Sequence, residues 1–252
     1  MTEEIHYNPT SAYFWLPRLL RGSIPFPIPK TEMVDCDFWD ALTVLDSKKR
    51  DKIPWGKLEL AVEKVGGPPA FIKSDVASAK HDGPKGYLVR KKSDLKSVIC
   101  ATVDHNACCD LEFAGFMVRQ FIPLEHRFCA FRGHPIAREY RFFTKNGRVC
   151  CRHFYWPKAA IADSINSLPK MPGIKWDWEK DYEHIARPLS DGEYEYMEVA
   201  TERVVRQMGP YKDWSVDWAC DMNGDWWLID MAIAQRSWHP HGCPEYPPVG
   251  NG

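Results

Sequence analysis

Two tight-turn signals in the sequence each set a pair of like charges against one another. Asn223-Gly224 and Asn146-Gly147 both lie between strand-like runs. Asn-Gly is the strongest short-range hairpin signal, since both residues tolerate the positive φ of a type I′ turn. A two-residue loop fixes the register of the strands it joins. At Asn223-Gly224 that register sets Asp217 directly opposite Asp230. One face of the ladder then carries Trp214, Val216 and Trp218 against Trp227, Ile229 and Met231, which is a core face. The other carries Ser215, Asp217 and Ala219 against Leu228, Asp230 and Ala232. Carboxylates so placed have Cβ atoms about 5 Å apart and repel. A hard divalent cation such as Mg2+, which takes one or two carboxylates together with phosphate oxygens, removes the conflict. The alternative is that one Asp is protonated or pairs with a nearby Lys or Arg. The metal is preferred because the opposite face is so clearly core. On that reading, neutralising either carboxylate costs metal-dependent turnover and leaves metal-free stability intact.

At Asn146-Gly147 the same geometry sets Arg141 opposite Arg152, with Glu139 two residues along on the same face. A phosphate or carboxylate between the two guanidinium groups would satisfy both, since arginine suits bidentate recognition of either anion. Two solvated side chains splayed apart, or an ion pair centred on Glu139, fit these residues equally well. Cations on one hairpin and carboxylates on another describe a polyphosphate–metal site. Lys73, in the apolar run Ala70-Phe71-Ile72-Lys73-Ser74, and the polar stretch 74–85 with Lys80 and Lys85 add phosphate ligands. A lysine is usually just solvated, but one between apolar neighbours on a buried strand is less easily dismissed.

The elements that position these residues follow from periodicity and punctuation. Residues 57–66 read as a helix ended by Gly66-Gly67-Pro68-Pro69. Residues 70–74 and 86–90 read as short strands. Ser93 caps a helix carrying Leu95, Val98, Ile99 and Val103 on one face. A strand over 115–122 precedes three successive antiparallel strands at 127–132, 136–144 and 148–156. Residues 157–189 read as loop-rich. Ser190 and Glu193 form a capping box; the helix it opens buries Met197, Thr201, Val204 and Val205 and stops at Gly209-Pro210. Strands at 214–221 and 226–232 complete the set. Residues 8–30, rich in proline and aromatics, read as irregular or short-strand chain. The mixture predicts an α+β fold.

Composition bounds the function. The 252 residues carry 33 Lys+Arg against 34 Asp+Glu, a net charge of −1, which argues against a protein whose main task is gripping a nucleic-acid backbone. With 44% apolar residues the chain can bury a large core, so disorder and coiled coil are excluded. The length suits one large domain or two interlocked lobes. No apolar run approaches the roughly 18 residues of a membrane span. Met1-Thr2-Glu3-Glu4 is no signal peptide, Thr2 excludes myristoylation, and the tail Val249-Gly250-Asn251-Gly252 excludes prenylation. Nine scattered cysteines read as reduced thiols of a cytoplasmic protein. Cys100, His105, Cys108 and Cys109 cluster, as do His239, His241 and Cys243, but neither set offers a clean pair of two-residue-spaced zinc ligands, so thiols are the preferred reading. GxxxxGK[ST] and GxGxxG are both absent, which removes the main support for P-loop and Rossmann readings.

Taken in order, these residues resemble the ATP-grasp superfamily. The order is Lys73, the small-residue loop Ser78-Ala79-Lys80 with Asp82, the hinge strand Val118-Arg119-Gln120-Phe121-Ile122-Pro123, then Glu139-Tyr140-Arg141-Phe142-Phe143, then Val216-Asp217 and Trp227-Leu228-Ile229-Asp230. Within it, they are most similar to the clade of the eukaryotic cell-division-cycle protein that assists translation initiation factor assembly, with its phage and bacterial relatives. The resemblance spans about residues 70–235. It implies two α+β lobes with antiparallel sheets, here 1–115 and 116–252, holding ATP between them. It also implies roles. Lys73 would contact the α-phosphate side, with the loop of Ser78 and Lys80 folding over the phosphates. Gln120, Phe121 and Ile122 would meet the adenine and Glu125 the ribose. Arg141 and Arg152 would hold the γ-phosphate or the transferred phosphoryl group, and Asp217 and Asp230 would hold Mg2+. Two departures stand out. Ala232 occupies the place of a usual metal-binding Asn, with Gln235 a substitute candidate, and 125–136 is an extra hairpin-like stretch. The implied activity is an ATP- and Mg2+-dependent carboxylate–amine ligase acting through an acyl phosphate on a small-molecule, peptide or protein substrate. Trp156, Trp176, Trp178 and Trp238-His239-Pro240-His241 would line the acceptor site or simply pack. The rival implications are an ATP-binding assembly factor without turnover and a nucleic-acid end-joining enzyme using the same ATP site, the latter opposed by the net charge.

Overall fold

The computed structural model describes residues 8–22, 26–77, 80, 83–167, 177–240 and 243–245. In chain order the elements are α1 (Ala12–Arg21), β1 (Thr31–Asp35), α2 (Phe38–Ala41), α3 (Trp55–Lys64), β2 (Ala70–Ser74), β3 (Leu88–Val89), α4 (Leu95–Cys108) and β4 (Gly115–Gln120). There follow β5 (His126–Ala130), β6 (His134–Ala137), β7 (Glu139–Lys145), β8 (Arg148–Phe154), α5 (Lys158–Asn166), α6 (Trp178–Ile185), α7 (Asp191–Arg206), β9 (Trp214–Cys220) and β10 (Trp226–Ile233). The strands form two four-stranded antiparallel sheets, ordered β1-β4-β2-β3 and β10-β9-β7-β8, with β5-β6 as a separate hairpin. The α+β expectation holds. Among the described residues no helix is long and apolar enough to cross a membrane.

One core packs α3 and α4 on the first sheet through residues such as Leu58, Ile72, Ile99 and Val118. A second packs α1 and α7 on the second sheet through Trp15, Leu19, Val204, Trp214, Trp218 and Leu228. Two expectations are corrected here. Strand β4, assigned by its position after residue 115 to the C-terminal lobe, hydrogen-bonds between β1 and β2 in the first sheet. Residues 8–30 are not simply irregular, because they contain α1. The Ser11 hydroxyl accepts from the Tyr13 N–H at 3.1 Å and caps it. Pro17 inside α1 removes one helix hydrogen bond, and burial of Phe14, Trp15, Leu16 and Leu19 offsets that loss.

Residues 157–189 are also more helical than their composition suggests, through α5 and α6. Ser93 does not cap α4. A short 3-10 turn at Lys92–Asp94 leads into α4, and the Asp94 carboxylate accepts from the N–H groups of Arg90 and Lys91 at 3.1 and 3.2 Å.

Helix α7 begins with the expected capping box. Its Glu193 carboxylate accepts from Ser190 N–H at 2.8 Å, from both Nη atoms of buried Arg138 at 2.7 and 3.2 Å, and from Trp226 Nε1 at 3.1 Å. These donors, Arg138 first, pull its pKa down to about 2 from an ordinary 4.5. A depressed carboxylate stabilises the fold above its unfolded pKa, and that contribution fades as pH falls toward the folded one. Thermal melts should therefore fall more steeply between pH 5 and pH 2 in the native protein than in Glu193→Gln, by roughly 1–3 kcal/mol. Parallel melting curves would show that the network contributes no such linkage.

The two hairpins depart from the simple register in instructive ways. Asn146 and Gly147 both have positive φ, 54° and 79°, as a type I′ turn requires. Lys145 pairs with Arg148 and Thr144 with Val149, but Cys150 is then bulged. Beyond the bulge Arg141 faces His153, and Arg152 faces Phe142. The expected opposition of Arg141 and Arg152 is thus wrong by one residue, and a one-residue slip moves a side chain to the other face. Arg152 stacks its guanidinium 3.6 Å over the Tyr194 ring of α7.

In the second hairpin only Gly224 has positive φ, 91°, and the loop is longer than two residues. The Asp221 side chain organises it by accepting from Asn223 N–H at 2.8 Å and Asp225 N–H at 3.0 Å. Trp226 pairs with Cys220 and Leu228 with Trp218; Ile229 is then bulged, and Asp230 faces Asp217 after all. The core face accordingly carries Trp226, Leu228 and Met231 rather than Trp227 and Ile229.

Candidate functional site

A cavity of about 410 Å³ lies between the two sheets. β2 contributes Phe71 and Lys73 to its lining, β4 contributes Arg119 and Gln120, and Phe121, Ile122, Pro123 and Leu124 continue the wall. Tyr87, Leu88, Met222 and Ile229 make much of the remainder apolar. Lys80, Glu139 and Asp230 supply charge at the same wall as Lys73 and Arg119.

The charges form one connected group. Arg141, Asp217 and Asp230 are cross-strand neighbours in a single row over β7, β9 and β10. Arg141 donates from Nε and Nη2 to the two oxygens of Asp217 at 2.7 and 2.8 Å. Lys73 reaches across from the other sheet to Asp230 Oδ2 at 2.6 Å. Lys80 approaches Glu139 Oε1 at 3.4 Å and lies 4.8 Å from the Tyr155 ring centre, which also receives Arg141 at 4.6 Å. Arg119 donates from Nε to Thr31 Oγ1 at 3.2 Å and from Nη1 to the Ile229 carbonyl.

Lys73, Arg119, Glu139 and Asp217 are all buried. Four cations (Lys73, Lys80, Arg119, Arg141) stand against three carboxylates (Glu139, Asp217, Asp230), which leaves one positive charge in excess. Arg119 Nη2 is buried with no hydrogen-bond acceptor among the described residues. A buried excess cation and an orphan donor together fit an anion.

The protonation equilibria follow the same map. Burial pulls the Lys73 ammonium down, against the pull of Asp230. For Asp230 burial works upward, but Lys73 wins and holds it below the usual carboxylate range. Burial lowers Lys80, yet Glu139, Tyr155 and the two aspartates more than reverse it. Burial pushes Glu139 up to about 7, in spite of Lys80. A carboxyl that titrates near neutrality is equipped to accept and return a proton.

Of the residues singled out by sequence, Lys73, Lys80, Gln120, Phe121, Ile122 and Asp230 line the cavity together with Glu139. Arg141 and Asp217 stand in the row beside Asp230. Asp217 and Asp230 are opposed, but each is held by its own cation, so the pairing with Lys or Arg left open above describes this state. Arg152 is on the opposite face of its sheet. Glu125 is not in the cavity wall; Arg187 holds it bidentately at 2.9 and 3.0 Å. Gln235 lies elsewhere, donating to Asp213 at 3.3 Å. Ser78 and Trp176 fall outside the described residues. Trp156 is buried with its ring centre 5.7 Å from Lys80 Nζ, while Trp178 opens α6.

Sequence reasoning gave no role to Arg119 or Tyr155. A charged residue in the strand Gly115–Gln120, whose first five residues are buried, was a legible signal for Arg119. Tyr155 follows β8 and offered none.

No protein-family model matches the chain, and neither does any curated protein sequence. Solved structures do. The C-terminally truncated Cdc123 from Schizosaccharomyces pombe superposes with a TM-score of 0.55 at 13% identity, over 89% of this chain and 83% of that one. Cdc123 from the same organism gives 0.52 at 12%, with the same coverage. The ADP complex of purK, N5-carboxyaminoimidazole ribonucleotide synthetase, gives 0.50 at 10%, over 92% of this chain and 45% of that one. At such identities the likeness is one of fold: the chain has an ATP-grasp-like α+β architecture.

Proposed function

We propose that the cavity between the sheets binds ATP with Mg2+, and that the protein is an ATP-dependent ligase joining a carboxylate to an amine in the cytoplasm. The observation that carries this is the buried cluster with an excess of positive charge at one wall of a largely apolar cavity. Apolar residues beside Gln120, Phe121 and Ile122 suit a purine. Lys73, Lys80 and Arg119 would hold the phosphates, and Asp230 with Asp217 would hold the metal, whose part is to neutralise charge between phosphate oxygens.

In such a ligation the γ-phosphoryl group passes to the substrate carboxylate, ADP leaves, and the amine displaces phosphate from the acyl phosphate. The protein's contribution is positioning and charge neutralisation. The attacking amine sheds a proton as the bond forms, and Glu139, in the cavity lining with a pKa raised by burial, would take it. The substrate is a small molecule, peptide or protein bearing the carboxylate and the amine.

The test is mass spectrometry of nucleotide products formed with Mg-ATP and a pooled panel of carboxylates and amines. ADP production that requires both partners is the expected result. AMP with pyrophosphate would exclude the acyl-phosphate route. A second reading, a nucleotide-binding assembly factor without turnover, is favoured by one observation: Asp217 is held bidentately by Arg141, and Ala232 offers no further ligand beside Asp230. Saturable ATP binding without ADP across the panel would favour it.

A further inference from the structure

On the far side of β7 from β9, edge strand β8 carries Cys151 and His153. Two residues apart on a strand, their side chains leave the same face. The chain returns to that face after β10. His239 is buried there, and the Cys243 N–H donates to the Pro240 carbonyl at 3.4 Å. One ligand atom from each of Cys151, His153, His239 and Cys243 lies within 4.8 Å of all the others. Cys151 Sγ is 3.1 Å from His239 Nε2, and the two imidazole rings are 4.7 Å apart and nearly perpendicular. His153 Nε2 is buried with no hydrogen-bond partner among the described residues. Among those residues this is the one group of three or more metal-ligating side chains drawn so close together.

We propose that these four residues form a structural zinc site that clasps the segment after β10 onto β8. Two sulfurs and two imidazole nitrogens are the donor set of tetrahedral zinc. Hard ions such as Mg2+ prefer oxygen and are not served by it. Four protein ligands leave no open position, which marks the site as structural rather than catalytic. Binding releases the two thiol protons to solvent, and the imidazoles bind in their neutral form. The clasp has a structural consequence. The His239 ring packs 4.3 Å from Phe143, and the neighbouring Trp238 carbonyl accepts from Arg141 Nη1 at 3.4 Å. Zinc would therefore anchor the segment that touches Arg141. The proposal does not depend on the nucleotide reading.

The experiment uses the full chain, purified under reducing conditions, loaded with excess zinc and freed of unbound metal. Elemental analysis should find one zinc per chain. Cobalt substitution should give the absorption of a tetrahedral ion with thiolate charge-transfer bands. Cys151→Ser and Cys243→Ser should each weaken zinc binding at least about tenfold, whereas Cys129→Ser, at an exposed position of β5, should not. Cys243 lies outside the sheets, so its variant remains informative even if the Cys151 variant fails to fold. Any one of three results would overturn the assignment: zinc well below one per chain, zinc undiminished in Cys243→Ser, or an octahedral cobalt spectrum. A Cys151–Cys243 disulfide persisting in the reduced protein would overturn it as well.

Discussion

Asp217→Asn should lower the melting temperature of the metal-free protein by roughly 10 °C, while Asp230→Asn should leave it near the native value. The two aspartates are neighbours across one ladder, and each is paired with a cation. They differ in how well the partner tolerates losing them. The Asp217 side chain is 4% exposed, and its partner Arg141 cannot shed a proton. Neutralising Asp217 therefore leaves a charged guanidinium buried without its counterion, a change worth about 3–5 kcal/mol. The Asp230 side chain is 29% exposed. Its partner Lys73 already has a pKa lowered by burial, so it can go neutral once the carboxylate is gone. Loss of Asp230 also relieves the repulsion between the two carboxylates. The opposed pair taken alone predicts that neither substitution matters without metal; the cation partners separate them. Scanning calorimetry of the three proteins without metal or nucleotide decides the matter. Equal losses would show that proton release by Lys73 is not what distinguishes them, and two small losses would restore the shared-cation account.

Much of this arrangement was legible wherever a residue's role is local. The capping box of Ser190 and Glu193 needs only its own turn of helix, and α7 begins there. Ala70–Ser74 is a strand because a short apolar run after Gly-Gly-Pro-Pro has few alternatives. Register is less local. Asn146-Gly147 makes the turn its residues demand, yet the bulge at Cys150 puts Arg152 over Tyr194. Asn223-Gly224 does not make that turn, and the bulge at Ile229 brings Asp230 back opposite Asp217. The first register slips by one residue beyond a correct turn, and in the second two departures cancel. Bulges answer to what the strand packs against, which neither hairpin's sequence reveals. Helix α1 was hidden for a related reason. Pro17 and the surrounding prolines argue against a helix locally, and the core that outweighs them is supplied by residues near 200–218. Of the cluster Cys151, His153, His239 and Cys243 only the second half stood out, because its partners Cys151 and His153 are far away in sequence, with β9 and β10 among the elements between them.

Lys73→Ala should move two affinities in opposite directions. Lys73 is buried, reaches from the first sheet to the second, and holds Asp230 at 2.6 Å. If Asp230 serves the metal, Mg2+ must compete with that ammonium, so the free ion binds poorly to the native protein. If Lys73 serves a phosphate, ATP gives the ammonium a new partner as the metal takes the carboxylate. Such an exchange would make nucleotide and metal binding strongly cooperative in the native protein. Removing the ammonium frees the carboxylate and removes the phosphate contact in one step. Mg2+ alone should then bind more tightly than to the native protein. Mg-ATP should bind at least about tenfold more weakly, since a charge-assisted hydrogen bond is worth roughly 1.5–3 kcal/mol. Calorimetric titrations of Mg2+, and of ATP in the presence of Mg2+, into the folded variant and the native protein measure both. Unchanged ATP affinity would take Lys73 out of the phosphate site. Unchanged Mg2+ affinity alongside weakened ATP would keep Lys73 on the phosphates and remove Asp230 as the metal ligand it guards.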